Sequence, residues 1–267
     1  MTIQVLVPTY KKTKTDIINL FDFLNIQSDC IFANQTGTNE IYEIKHKNHS
    51  IRVICSATIG VSVNRNILKD NLEADIGLCI DDDCPLIDNY LEIVINAYKK
   101  YKFDFAIFNG VWETHGNKKI HNKKTKKVRR FIDISYAGGP GLCFLKNAVS
   151  KFDLSYDETI GVPNYICAGE DSLFYYNLCR SGAKCYRFSD IIFRVAIDET
   201  NSTYFQGINR QYITTRGYIL KLTHRRLFAL FVVKHTLRFK KQSKKLKLFE
   251  IIKYLIDGGK MAKLVLK

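Results

Sequence analysis

Leu78-Cys79-Ile80-Asp81-Asp82-Asp83-Cys84-Pro85 passes from apolar residues straight into three consecutive carboxylates and stops at a proline. The apolar half reads as the end of a buried strand. Pro85 cannot extend a ladder and forces a turn. Adjacent carboxylates repel one another, so a fold that holds three of them at a strand end supplies a cation or strong donors. The alternative is an acidic turn or a helix N-cap. The segments on either side decide between these readings.

Upstream, Ile3-Gln4-Val5-Leu6-Val7 reads as a first strand running into Pro8-Thr9-Tyr10. Residues 16–24 have helical spacing, with Ile17, Leu20, Phe21 and Leu24 on one face. Residues 30–33 form a second strand, ended by a polar turn cluster over 34–39, and residues 51–55 a third. Gly60 precedes a helix over 61–68, and residues 76–80 are the fourth strand, which delivers the acids. Downstream, 86–98 reads as a helix and 103–108 as a fifth strand. The alternation predicts right-handed βαβ units and an α/β fold with a central, mostly parallel sheet flanked by helices. Ligands bind such sheets beyond the carboxyl ends of the strands. Pro8, Thr9, Tyr10, Asn34 and Asp81 to Asp83 would all gather there, which favours a site over an idle acidic turn.

The second half changes character. Residues 117–130 hold eight Lys/Arg and no acid, which reads as a solvated loop or as a cover over an anionic substrate. Gly138, Gly139 and Gly141 can bring backbone close to a ligand, or simply make a tight connection before a strand over 142–145. Gly169-Glu170-Asp171 opens a helix, where acids suit the dipole. Residues 184–188 and 191–195 read as short strands, and from residue 203 the chain reads as mainly helical.

Net charge is +15, and it is concentrated at the end: residues 221–267 carry 14 Lys/Arg against 2 Asp/Glu, while residues 1–220 carry 27 against 24. A near-neutral body with a basic tail points to an anionic partner. In the tail, apolar runs too short to cross a bilayer sit between lysines and arginines, which suits a helix lying in a membrane interface. A helix packed on the body with a solvated basic face is the alternative. The first residues carry no basic flank and read as a strand, not a signal peptide. Eight cysteines without a Cys-x-x-Cys pair predict reduced, buried thiols, not disulfides or zinc. The predicted domains are 1–220, catalytic, and 221–267, a basic amphipathic helical segment that associates with membrane.

Four features stand in order: Val7-Pro8-Thr9-Tyr10 ending the first strand, Gly60 before Asn64-Arg65-Asn66, Asp81-Asp82-Asp83, and Gly169-Glu170-Asp171. Over residues 1–220 this pattern resembles a family 2 glycosyltransferase of the GT-A fold, the type that builds bacterial surface polysaccharide. The resemblance implies an inverting hexosyltransferase. It would move a sugar from a nucleotide-sugar donor, a UDP-sugar, to a glycan or lipid-linked oligosaccharide acceptor, with Mn2+ or Mg2+ as cofactor. Carboxylate-bound metal can stabilise a departing diphosphate as a Lewis acid. By resemblance Asp83 is the main metal ligand, with Asp81 next, since alternate residues at a strand end share a face. Asp81 and Asp82 touch the nucleotide. Pro8, Thr9 and Tyr10 line the nucleobase and ribose pocket, with Asn34 beside them. Arg65 holds the nucleotide or orients the acidic run, and Arg216 contacts diphosphate. Asp171 is the base that takes the acceptor's proton, with Glu170 beside it. A carboxylate at a helix start is expected to have a lowered pKa.

Two positions depart from the pattern. Where many relatives carry an acid after the second strand to grip uracil, this chain has Asn34-Gln35-Thr36-Gly37, an amide that leaves the choice of nucleotide open. Where some carry a metal-binding histidine after the late strands, Asp198 is the candidate substitute. The implied location is cytoplasmic, peripheral at the inner face of the cell membrane, on an anionic surface and without nucleic acid as partner. Monomer and homodimer are both open. A nucleotidyltransferase would want a glycine-rich loop after the first strand, which Pro8-Thr9-Tyr10-Lys11-Lys12 lacks. A non-enzymatic nucleic-acid-binding protein would rest on the basic tail alone.

Overall fold

The computed structural model describes residues 1–114, 117–120, 123–128, 139–153, 155–196, 207–243 and 245–265. One sheet contains β1 (Ile3–Tyr10), β2 (Cys30–Gln35), β3 (Glu40–His46), β4 (His49–Ser56), β5 (Ile76–Cys79), β6 (Phe105–Thr114), β7 (Asn117–Ile120), β8 (Lys126–Lys127), β9 (Leu142–Leu145) and β10 (Cys185–Ala196). The order is β3-β4-β2-β1-β5-β9-β6-β10-β8, with β7 paired to β6. β4, β2, β1, β5, β6 and β10 all run one way, while β3, β7, β8 and β9 oppose them. This is the mostly parallel α/β sheet that the alternation predicts.

Alternate residues build the two faces of the sheet. Val5 and Val7 of β1 and Cys30 and Phe32 of β2 face one core, which α1 (Lys14–Phe23) and α3 (Tyr90–Tyr101) cover with Ile17, Phe21, Tyr90 and Val94. Leu6, Ile31 and Ala33 face the other. It is covered by Leu68 of α2 (Val61–Asp70), Ala148 of α4 (Lys146–Phe152), and Phe174, Tyr175 and Leu178 of α5 (Glu170–Arg180). Each fully buried Leu, Ile or Phe contributes about 1.5–3 kcal/mol.

Four expectations change. Residues 40–46 are strand β3, joined to β4 through Lys47 and Asn48, both at positive φ. The strand carrying the acids is therefore the fifth. The helix expected from residue 86 starts at Tyr90, because Leu86 bridges Phe193 of β10. The two short strands over 184–195 are one strand with register shifts. The basic stretch 117–130 is not simply a loop: Lys118 and Lys119 lie in β7 and Lys126 and Lys127 in β8.

The chain then forms α6 (Arg210–Thr223), a single 3-10 turn (Arg225–Leu227), α7 (Phe228–Gln242) and α8 (Leu248–Val265). The boundary expected at residues 220 and 221 falls within α6. α8 returns to lie against α6: Gly217 sits on the Leu255 carbonyl, and Gly258 on the Thr214 carbonyl. Ile160, Ile166, Leu173, Tyr176, Tyr218, Ile219 and Ala262 form a cluster that docks α6 and α8 onto the loop before α5 and onto α5 itself. No helix among the described residues is long and apolar enough to cross a membrane.

Candidate active site

Buried amides pin the carboxyl ends of β1 and β2 to α2 and to the residue that starts it. The Asn64 side chain of α2 donates to the carbonyls of Thr9 and Ala33, both at 3.1 Å. Gln35 Oε1 accepts from the Gly60 N–H at 2.7 Å, just ahead of α2. β1 runs on through Pro8 to Tyr10, past the point where the proline was expected to end it. The N–H of Val5 points to β2, and the carbonyl of Leu6 accepts from Ile80 on the β5 side. Even-numbered residues of β1 therefore face β5, and β1–β5 pairing stops at Leu6–Cys79. The missing N–H of Pro8 removes no ladder bond.

β5 then delivers Asp81, Asp82 and Asp83 into this crevice. The Thr9 hydroxyl donates to Asp82 Oδ2 at 2.9 Å. Asp81, Asp83 and Cys84 bring one ligand atom each to within 4.8 Å of one another. The Cys84 thiol donates to Asp83 Oδ1 at 3.0 Å, and burial together with the surrounding carboxylates pushes its pKa far up. It stays a thiol, so the donor set is two carboxylates. That is hard-oxygen chemistry of the kind Mg2+ or Mn2+ takes, leaving most coordination positions for phosphate or water oxygens.

The two acidic motifs meet through Arg65. This residue of α2 is 7% exposed, with Nη1 2.6 Å from Glu170 Oε1 and 3.0 Å from Asp171 Oδ1, and Nη2 3.7 Å from Asp81 Oδ1. Its guanidinium lies over the Tyr156 ring, 5.7 Å from the centroid. Burial opposes the guanidinium's charge, but Asp171, Glu170 and Asp81 outweigh it and hold Arg65 charged well above its usual range. On the acid side, burial pushes Asp81 up to about 6, with Asp83, Asp82 and Glu170 adding repulsion and Arg65 opposing. This happens although 37% of the Asp81 side chain faces the crevice. Burial raises Asp171 well above the carboxylate range as well, again against Arg65. The lowered value expected of a helix-start carboxylate is thus overturned: desolvation outweighs the α5 dipole. One guanidinium faces more carboxylates than it can neutralise, and this surplus suits a further cation.

β9, antiparallel to both neighbours, brings its leading residues back to the same edge. The Gly141 N–H donates to the Cys79 carbonyl at 2.9 Å, and a methyl at Gly139 would overlap Arg65 Nη2 and lie 3.3 Å from Asp171 Oδ2. Gly139 brings backbone close to Arg65 and Asp171, while Gly141, at positive φ against the Phe108 carbonyl, makes the tight connection into β9. Gly138 and Asp198 lie outside the described residues.

Two expected residues sit differently. Asn34 is fully buried. Its amide is engaged by the Lys12 backbone, accepting from the N–H at 3.1 Å and donating to the carbonyl at 2.8 Å. It shapes the loop after β1. Arg216 of α6 lies near Arg238 and His235 of α7 and near His224 at the end of α6. Tyr10, 48% exposed, stands at the rim with Lys11 over its ring.

Three residues of the site escaped the sequence reading. Lys12 lies close enough to Asp82 to counter the rise that burial imposes on it. Tyr156 underlies Arg65. Asn66 holds the Tyr156 backbone, donating to its carbonyl at 3.0 Å and accepting from its N–H at 2.8 Å. Only Asn66 had a signal, its place in Asn64-Arg65-Asn66.

No protein-family model matches the chain, and no curated protein does. Solved structures do match. The crystal structure of S. aureus TarS 1–349 is 13% identical, with 99% of this chain and 92% of that one covered at a TM-score of 0.59. Its complex with UDP is 15% identical, covering 94% and 77%, at 0.61. Its complex with UDP-GlcNAc is 12% identical, covering 99% and 92%, at 0.62. At such identities the likeness is one of fold.

Proposed function

We propose that the chain is an inverting glycosyltransferase that takes a sugar from a UDP-sugar and passes it to a glycan or lipid-linked oligosaccharide hydroxyl in surface-polymer synthesis. The observation that carries this reading is the Arg65 bridge: it joins the acids after β5 to Glu170 and Asp171 at the start of α5. A donor-side and an acceptor-side carboxylate group thus share one crevice. The likeness in fold to TarS, crystallised with UDP and with UDP-GlcNAc, supports the choice of donor.

The side chains divide the work by position. Thr9 fixes Asp82 at the floor, Tyr10 offers an exposed ring for a base, and Lys12 offers a cation for phosphate. Asp83 and Asp81 are the residues that would hold Mg2+ or Mn2+, which when bound would neutralise charge on the departing diphosphate. Asp171, held 3.0 Å from Arg65, is the group to take the proton from the attacking hydroxyl. Arg65 opposes the rise that burial imposes on it. Gly139 leaves room beside this pair that any larger residue would take from Arg65.

Calorimetry of the full chain with UDP, with and without Mn2+, tests the reading. UDP binding that needs Mn2+ and is lost in Asp83→Asn is expected. Asp171→Asn should bind UDP normally and lose transfer by a factor of about 10²–10⁴. Absence of UDP binding under either condition, or unchanged transfer by folded Asp171→Asn, would overturn it.

A further inference from the structure

α7 is built inside out. Its inward face buries Val232 and Phe239 but also His235, 5% exposed, and Thr236, 3% exposed, and both His235 Nδ1 and Thr236 Oγ1 lack a hydrogen-bond partner. Its outward face exposes Leu230 by 67%, Val233 by 60% and Leu237 by 62%, with Leu227 of the preceding turn at 52%. The spacing of three and four residues puts these side chains in one stripe along the helix. A helix that faced only water would have the opposite distribution, because exposed aliphatic surface costs roughly 25 cal/mol per Å² and buried unpaired polar atoms cost more.

The charges beside the stripe identify what covers it. On the same helix Lys234, Arg238 and Lys241 are exposed and border the leucines, and Arg225 and Arg226 stand at its start. Neither α7 nor the turn before it contains an acid. α8 repeats the chemistry on its exposed face: Phe249 at 63% and Leu264 at 73% alternate with Lys253, Lys260 and Lys263. Its acids, Glu250 and Asp257, are only partly exposed, and Asp257 lies 3.8 Å from Lys260. A polyanionic nucleic acid would use the cations but not an aliphatic stripe. A second copy of the chain would meet like charge at the stripe's border.

We infer that α7 lies in the surface of an anionic phospholipid bilayer, with Leu227, Leu230, Val233 and Leu237 inserted among the acyl chains and Lys234, Arg238 and Lys241 on lipid phosphates. Interfacial helices bind by this pair of contributions, apolar insertion and attraction to anionic headgroups. The surface is separate from the Arg65 crevice and does not depend on what that crevice does.

Sedimentation of the full chain with phosphatidylcholine vesicles, and with vesicles containing phosphatidylglycerol, separates the occupants. Binding to the anionic vesicles alone is expected, weakening with salt. Leu230→Gln/Leu237→Gln should reduce the partition coefficient by a factor of about ten or more. Lys234→Gln/Arg238→Gln/Lys241→Gln should reduce it similarly and flatten its salt dependence. All these side chains are exposed, so both variants should melt as the parent does and bind UDP as it does. Three results would overturn the inference: equal binding to neutral and anionic vesicles, unchanged binding by the leucine variant, or no vesicle binding together with retention by RNA or a leucine-dependent dimer in sedimentation velocity.

Discussion

Arg65 is the residue whose replacement tells most about the crevice. Its charge is surrounded by Asp81, Glu170 and Asp171, and the last two are only 12% and 13% exposed. Breaking a buried ion network by removing one partner strands the others, at a cost of about 3–5 kcal/mol. Arg65→Met should therefore lower the melting temperature by roughly 6–20 °C for a domain of this size. Arg65→Lys keeps the charge but cannot fork to Glu170, Asp171 and Asp81 together, so its loss should be clearly smaller. Equal melting of Arg65→Met and the parent would mean that the carboxylates carry protons and need no cation. A second residue-level outcome concerns Gly139→Ala, whose methyl would displace Arg65 Nη2. It should impair the proposed transfer far more than it lowers the melting temperature, because the clash falls on the end of a side chain within the crevice and not on the core. The acids were legible in the sequence as residue types in order. Their connection was not, because Arg65 and Glu170 are 105 positions apart and only the tertiary fold brings them together. The pKa of Asp171 was misjudged for the same reason: the helix dipole can be read from sequence, and burial cannot.

Elements were legible wherever they carry a buried face. β1, β2, β4, β5, α1 and α2 follow from runs such as Val5-Leu6-Val7 and from Ile17 and Phe21. β3 did not, since as an edge strand it exposes Ile41 by 60% and carries Glu40, Glu43 and Lys45. Charge on an edge strand prevents pairing with other chains and also blurs the strand's apolar pattern. The contact between α6 and α8 was equally hidden, because it is made by glycines. At Gly217 an added methyl would run into the Leu255 carbonyl, and at Gly258 into the Thr214 carbonyl. In an exposed helix, Gly→Ala stabilises by about 1 kcal/mol. Here Gly217→Ala and Gly258→Ala should each destabilise by about 1–3 kcal/mol, because backbone cannot yield as a side-chain tip can. Both are relieved by the same separation of the helices, so the double variant should cost less than the two single losses combined. Urea denaturation measures all three, and a gain in either single variant would show that the helices part without cost.

Across the whole molecule, charge is divided into an acidic crevice over the sheet and a cationic layer of α6, α7 and α8, and the two respond to acid in opposite ways. In the crevice, Asp81 is pushed up to about 6, chiefly by burial. Its folded value lies above its unfolded one, so protonation as pH falls through 6 favours the folded state. In the helical layer, burial pushes His235 down to about 3, and Arg216, Arg238, Lys234 and His224 push the same way. Its folded value lies below the unfolded 6.5, so its contribution is complete above pH 6.5 and is lost progressively as pH falls toward 3. Total stability against pH mixes the two, but a difference between variants isolates one. His235→Leu retains the crevice and removes the titration, so it should gain stability relative to the parent as pH drops from 7 to 4.5. The gain should be roughly 1–2 kcal/mol, less than the full two units of pH would give, because the cations around His235 are partly solvated. Denaturant midpoints of the two proteins, measured in parallel across that range, provide the test. A difference that stays constant with pH would mean that His235 titrates alike in the folded and unfolded chain, and that the cationic layer is open to water in a way its packing on Phe231 and Phe239 does not allow.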